Sequence, residues 1–290
     1  MSNKILVPLD GSPLSESVFP WLKFLAQKLE PEAQIRLFRT FEPPSTVYLL
    51  PELSIPTSNA LSDEYLGGMI LEYLQSCASK LGVENVDTEM TIGEPASEIL
   101  AHSEKADMVV MASHGRGGLG RWLLGSVATK VIRGATVPVF VVGGHVLASD
   151  ASDSGTVKRI VAPVDSSEAS ERSFAKACEL ARQFGAELHL YAGVNQLEMQ
   201  SQVIIDANRA GVVFFQDYLA GLADAVSDLD IICTVKQTHG ISGIVEFADE
   251  MEADLIVMGS HGKGGLRRWL IGGETEKTIH FATCPVLVTH

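Results

Sequence analysis

Short runs of apolar, mostly β-branched residues alternate along this chain with longer stretches in which apolar residues return every three or four positions. Residues 5–7 form the first run; Val18, Leu22, Leu25 and Leu29 follow on one helical stripe, and residues 35–38 form the next run. A stripe on Leu66, Ile70, Tyr73, Cys77 and Leu81 leads to a strand over 88–92. A helix from Pro95, the wholly apolar run 108–111, a helix from Ser126 and the run 139–142 complete the series. A period near 3.6 marks helices and short continuous apolar runs mark strands. Strands apolar at every position leave no face for water, which predicts a parallel sheet covered by helices on both sides.

The order then repeats. Strand-like runs return at 160–162, 188–191, 231–235, 255–258 and 286–288, with helices between them such as the one carrying Phe174, Ala177, Ala181 and Phe184. The string KILVPLD ending at Asp10 is echoed by RIVAPVD ending at Asp165, a displacement of 155 positions. ASHGRGGLGRWLLG ending at Gly125 is echoed by GSHGKGGLRRWLIG ending at Gly272, a displacement of 147. The difference falls where the first half carries a Pro-rich stretch over 41–56, which reads as a long surface loop, with a lid as the alternative. Residues 143–155 are rich in Gly, Ser and Asp and read as a linker. The expected architecture is α/β: two tandem doubly wound, Rossmann-like domains at 1–144 and 158–290, joined by residues 145–157. Each is expected to hold a five-stranded parallel sheet with helices on both faces.

Composition narrows the function classes. With 46% hydrophobic residues both halves can hold a core, and a formal charge of −14 repels phosphate backbones and anionic lipid, which argues against nucleic-acid or membrane attachment. Cys77, Cys178, Cys233 and Cys284 are far apart with no Cys-x-x-Cys pair, so packed, reduced thiols are expected. No apolar stretch approaches the ~18 residues of a membrane span. The expected location is the cytoplasm.

Both Gly-rich segments follow directly on an apolar strand, where open α/β sheets place their ligands. Glycine allows close backbone approach to an anion, and a helix opening at Gly125-Ser126 offers free N–H donors and the positive end of its dipole. A sharp strand-to-helix turn also needs glycine for steric reasons alone. His114 and His261 stand inside the loops without a nucleophile or carboxylate beside them, which favours packing over catalysis. There is no Gly-x4-Gly-Lys-Ser/Thr loop, and the segment from Gly240 does not have Gly-x-Ser-x-Gly spacing.

Taken together, the segments resemble the universal stress protein family over essentially the whole chain, twice, with the fold of adenine nucleotide alpha hydrolase-like proteins. Its ATP-binding members carry Gly-x2-Gly-x9-Gly followed by Ser or Thr, after an N-terminal strand ending in Asp. Here the first half reads Ala112, Gly115, Gly125 and Ser126, with alanine in place of the first glycine. The second reads Gly259, Gly262, Gly272 and Gly273, with the hydroxyl missing and Glu274 where the first half has Val127.

The resemblance implies roles. Asp10 and Asp165 would meet the adenosine side, with capping of the next turn as the alternative. The backbones of Thr40 and Gly193 would line the adenine pocket, with Pro8, Leu9, Pro163 and Val164 shaping it. Gly115, Gly125, Ser126, Val127 and Ala128 would hold phosphates, and any of Arg116, Arg121, Lys263, Arg267 and Arg268 could reach outer ones. The implied ligand is ATP, or AMP or ADP, with Mg²⁺ possible. The implied role is regulation in stress through an unknown protein partner rather than dedicated catalysis. A nucleotide-independent interaction protein and a slow ATPase or phosphotransferase are the rivals. Relatives commonly dimerise through their last strands, so 139–142 and 286–288 are expected to pair within this chain as a pseudo-dimer, and a further homodimer of chains is compatible with that.

Overall fold

The computed structural model describes residues 3–29, 32–42, 63–113, 124–143, 145–146, 156–195, 202–238, 243–261 and 272–290. The first half runs β1 (Asn3–Pro8), a 3₁₀ turn (Ser15–Val18), α1 (Phe19–Lys28), β2 (Ala33–Phe41), α2 (Asp63–Leu81), β3 (Val86–Ile92), α3 (Pro95–Ser103), β4 (Met108–Ala112), α4 (Ser126–Gly134) and β5 (Val139–Val142). The second runs β6 (Arg159–Pro163), α5 (Glu168–Phe184), β7 (Glu187–Asn195), α6 (Gln202–Asp224), β8 (Ile231–Thr238), α7 (Gly243–Glu250), β9 (Leu255–Gly259), α8 (Gly273–Phe281) and β10 (Val286–Thr289).

The pattern of apolar positions located all ten strands, the four helices of the first half and α5, with one difference in kind. The stripe on Val18, Leu22, Leu25 and Leu29 spans a 3₁₀ turn and then an α-helix, because Pro20 sits in the first turn of α1 and has no N–H to continue a ladder from upstream. The second half has no proline there, and α5 runs unbroken for 17 residues from its Ser167 cap. Strands β7 and β8 also extend beyond their apolar runs into polar residues such as Asn195 and Lys236, tolerated towards a sheet edge where water reaches one side.

All ten strands form one sheet in the order β3-β2-β1-β4-β5-β10-β9-β6-β7-β8. Within each half every pairing is parallel. The halves meet where β5 and β10 run antiparallel, with Val141 opposite Val286, Phe140 opposite Leu287 and Val139 opposite Val288. All residues of both strands are buried. One face of the sheet is covered by α1, α2, α5 and α6 and the other by α3, α4, α7 and α8, and each apolar layer runs through both halves. On the first face Phe24 of α1 meets Phe184 of α5 edge to face at 4.9 Å, and Trp21 lies 6.0 Å from Phe140. All four cysteines are free; three are buried, and burial pushes the Cys284 thiol up to about 12. Among the described residues no helix is long and apolar enough to cross a membrane.

Phe140 is 2% exposed and touches both halves through Leu287 and Trp21. Phe140→Ala should cost about 3–5 kcal/mol, measured by urea denaturation. The loss should appear as one transition for both halves; two separate transitions in the wild-type protein would contradict a shared core.

Candidate nucleotide site

In each half the strand order reverses beside the first strand, and this opens a crevice at the carboxyl ends of β1 and β4, and of β6 and β9. The proline ending each first strand helps to set its depth. β1 is paired with β4 only at Ile5–Met108 and Leu6–Val109, and β6 with β9 only at Ile160–Leu255 and Val161–Ile256. Beyond, Leu9 N–H donates to the Phe38 carbonyl and Val164 N–H to the Tyr191 carbonyl, both on the side away from the crevice. Strand alternation turns the preceding position towards the crevice, and there Pro8 and Pro163 have no N–H to give. The strands part, and Asp10 and Asp165 follow at the mouth.

Both aspartates are held by the turn they begin. Asp10 Oδ1 accepts from Ser12 N–H at 2.9 Å and from the Ser12 hydroxyl at 2.6 Å; Asp165 Oδ1 accepts from Ser167 N–H at 3.0 Å and from its hydroxyl at 2.5 Å. The residue between is left-handed, Gly11 at φ 82° in the first half and Ser166 at φ 60° in the second. Glycine adopts that conformation freely, whereas serine there carries some strain. The turn therefore fixes each carboxylate at the mouth of the crevice.

The two loops close on the same pin. Gly125 N–H donates to the Ser113 carbonyl at 2.8 Å, and Gly272 N–H to the Ser260 carbonyl at 2.9 Å. Each glycine is the N-cap of the next helix, with no side chain capping it. Beyond the cap the halves differ. α4 opens with exposed Ser126, then Val127 and buried Ala128, and has no acid in its first turn. Its first N–H groups and its dipole are left for an external anion. α8 opens with Gly273, Glu274 and Thr275; Glu274 and Glu276 lie in its first turn, and the Thr275 hydroxyl donates back to the Gly259 carbonyl at 2.9 Å. Burial pushes the Glu274 pKa up, opposed by Lys277. The second helix answers its own dipole, and it presents carboxylates where the first presents only donors.

Ala112, the methyl in place of the first motif glycine, is 7% exposed. At its counterpart Gly259 a Cβ would lie 3.2 Å from both the Ala169 and His261 carbonyl oxygens, tight against the start of α5. The first half has its 3₁₀ turn at that level, and the alanine is accommodated.

The second strands end nearby. Thr40, at the end of β2, has a buried hydroxyl without a hydrogen-bond partner, and exposed Gly193 occupies the matching place on β7. Two residues earlier, Phe38 packs against the His102 ring at 4.4 Å, while Tyr191 stacks on Phe247 at 4.5 Å with its hydroxyl buried and unpartnered. Gly115 and Gly262, with His114, Arg116, Arg121, Lys263, Arg267 and Arg268, lie outside the described residues. His261 is described: its Nδ1 is 2.9 Å from the Ser260 hydroxyl and its Nε2 is buried without a partner.

The structure thus gathers Pro8, Leu9, Asp10, Ala112, Gly125, Ser126, Val127 and Ala128 around one crevice, and Pro163, Val164, Asp165, Gly259, Gly272 and Gly273 around its counterpart. Sequence reasoning missed Ser12 and Ser167, which hold the aspartates, and Ser113 and Ser260, whose carbonyls pin the loops. Each recurs at the same place in both repeats, and that recurrence was the available signal. Among the described residues no group of three or more His, Cys, Asp or Glu is placed to hold a metal ion.

Comparison with known proteins identifies the family and the fold. The model of the universal stress protein family matches residues 1–143 and again 156–290. A universal stress protein of Mycolicibacterium smegmatis is 27% identical over 292 residues, covering 98% of this chain and 96% of that protein. One from Mycobacterium tuberculosis strain H37Rv is 30% identical over 212 residues, covering 70% and 68%. The crystal structure of a universal stress protein from Archaeoglobus fulgidus superposes over 100% of this chain and 98% of that one with a TM-score of 0.69 at 21% identity, a likeness of fold.

Two outcomes follow from the second crevice. Burial first, and nearby His261 second, push His290 from 6.5 down to about 4. Between those values the unfolded chain binds a proton that the folded chain refuses, so stability should fall as pH drops through that window. Urea midpoints taken from about pH 7 to about pH 4 should decline more steeply for wild type than for His290→Asn. Separately, replacing Glu274 by Val and Gly273 by Ser gives α8 the opening residues of α4. Equilibrium dialysis with ATP should then show more nucleotide bound per chain than for wild type.

Proposed function

The chain belongs to the universal stress protein family, and on that premise we propose that it is an ATP-binding regulatory protein whose nucleotide is held in the first half. The observation that carries this is the opening of α4: an N-terminus with no side-chain cap and no acid in its first turn, facing the crevice beside a fixed Asp10. In a chain of net charge −14, such a helix end is a way to hold phosphate by local donors rather than by general positive potential. Gly125, Ser126, Val127 and Ala128 would donate to the phosphates, joined by Gly115, while Asp10 would accept from the ribose. The Thr40 end of β2 would border the base, where its partnerless hydroxyl gains a hydrogen bond. AMP or ADP would use the same donors, and Mg²⁺ would accompany ATP.

In this reading nucleotide occupancy alters the surface offered to a protein partner in the cytoplasm. On the same reading the protein acts as a sensor rather than a dedicated enzyme, with hydrolysis at most slow. The second half, 158–290, joined to 1–144 through 145–157, takes the nucleotide-independent role. Glu274 and Glu276 favour this, since they occupy the helix end that a phosphate would need.

Isothermal titration calorimetry of the full chain with ATP and Mg²⁺ tests the reading against a Gly125→Val, Ser126→Ala double variant. Saturable binding close to one nucleotide per chain, lost in the variant, is expected. At ligand near 100 times Kd the wild type should also gain about 2.7 kcal/mol of stability. Absence of binding, or undiminished affinity in the variant, would overturn it.

A further inference from the structure

Each half ends its second strand with a buried hydroxyl that has no hydrogen-bond partner, and the two halves supply it from different positions. Phe38 and Tyr191 stand opposite Pro8 and Pro163, so they hold the same place in the sheet. In the first half that residue is phenylalanine, and the hydroxyl comes from Thr40, two positions on and therefore on the same face. In the second half position 193 is glycine, and the hydroxyl comes from Tyr191 itself, which is 1% exposed.

Two glycines admit the phenol. A Cβ at Gly193 would lie 3.3 Å from the Tyr191 hydroxyl, and one at Gly243, where α7 opens, 2.7 Å from it. Phe247 stacks on the ring at 4.5 Å and fixes its aim. The phenol thus reaches the corner that the Thr40 side chain serves in the first half. Burying a hydroxyl without a partner costs stability, and filling a corner does not require one. Its return in both crevices, from different side chains, points to a ligand group that pairs with it. Burial first, then the charges of Glu246, Glu250 and Glu274, push the Tyr191 pKa up to about 12. The phenol therefore keeps its proton and can both donate and accept, which suits the edge of a nucleobase, where donors adjoin acceptors.

The rest of the second crevice divides along the same line. The parts that would meet base and sugar match the first half, with Pro163 parting the strands and Ser167 holding Asp165 at the mouth. The part that would meet phosphate does not match, because Glu274 and Glu276 occupy the first turn of α8. Resting on the ATP-binding reading for the order of base, sugar and phosphate along a crevice, we propose that the second crevice binds an unphosphorylated nucleoside. Its base pairs with the Tyr191 hydroxyl, and ATP is confined to the first half.

Equilibrium dialysis of the full chain with radiolabelled adenosine up to about 1 mM, under saturating ATP and Mg²⁺ so that the first crevice is filled, tests this. The wild type should take up close to one adenosine per chain. Tyr191→Phe should weaken that uptake about fivefold or more. Its melting temperature without ligand should stay at or above the wild-type value, because an unpaired buried hydroxyl has been removed. Adding Gly193→Thr to Tyr191→Phe recreates the pairing of Phe38 with Thr40. The next atoms a Cβ at 193 would meet belong to Thr238, at 3.6 and 3.7 Å, so the threonine fits. Affinity should then return to within about threefold of wild type. No adenosine uptake, uptake indifferent to Tyr191→Phe, or a double variant that recovers nothing would each overturn the proposal. ATP uptake, followed in the same cells, should be equal in all three proteins. If ATP fails to bind, the reading of the first half falls, while the dependence of adenosine uptake on Tyr191 still decides the second.

Discussion

A parallel sheet whose last strand is apolar on both faces and along both edges cannot end in water; the unpaired N–H and C=O groups and the flanking side chains must find a neighbour. In this chain β5 and β10 meet that need for each other. Their antiparallel ladder makes ten strands out of twice five, and it lets α1 and α5 close over the junction through Phe24 and Phe184. The remaining features hang on that ladder. The most buried strands lie at the middle of the sheet, the polar extensions of β7 and β8 lie towards its edge, and the crevices sit one strand away from the junction on either side.

The duplicated scaffold holds its two sites to the same backbone and lets their chemistry diverge. Pro8 and Pro163 end the ladders alike, Ser12 and Ser167 hold the aspartates alike, and Gly125 and Gly272 are pinned alike. The difference is concentrated in the first turn of the following helix. A peptide dipole there favours an anion in either half, but α8 supplies its own through Glu274 and Glu276, and α4 leaves the place open. Two or three side chains are thus enough to give one half an open helix end and the other a self-satisfied one, with the strand order unchanged.

The sequence by itself determined the elements and their duplication. Apolar period and run length depend only on neighbours along the chain, so the strands at 139–142 and 286–288, the helix start at Ser126 and the echo of Asp10 in Asp165 could all be read directly. It also displayed the glycines and the exchange of Ser126-Val127 for Gly273-Glu274. Tertiary structure decided what no local pattern encodes. Pro8 and Pro163 stop a ladder only because position 9 or 164 turns its N–H the other way. Ser113 and Ser260 act through carbonyls, which carry no residue identity. Each of these depends on which neighbour a group meets across space, and that is set by packing the elements together rather than by the order of residues in any one of them.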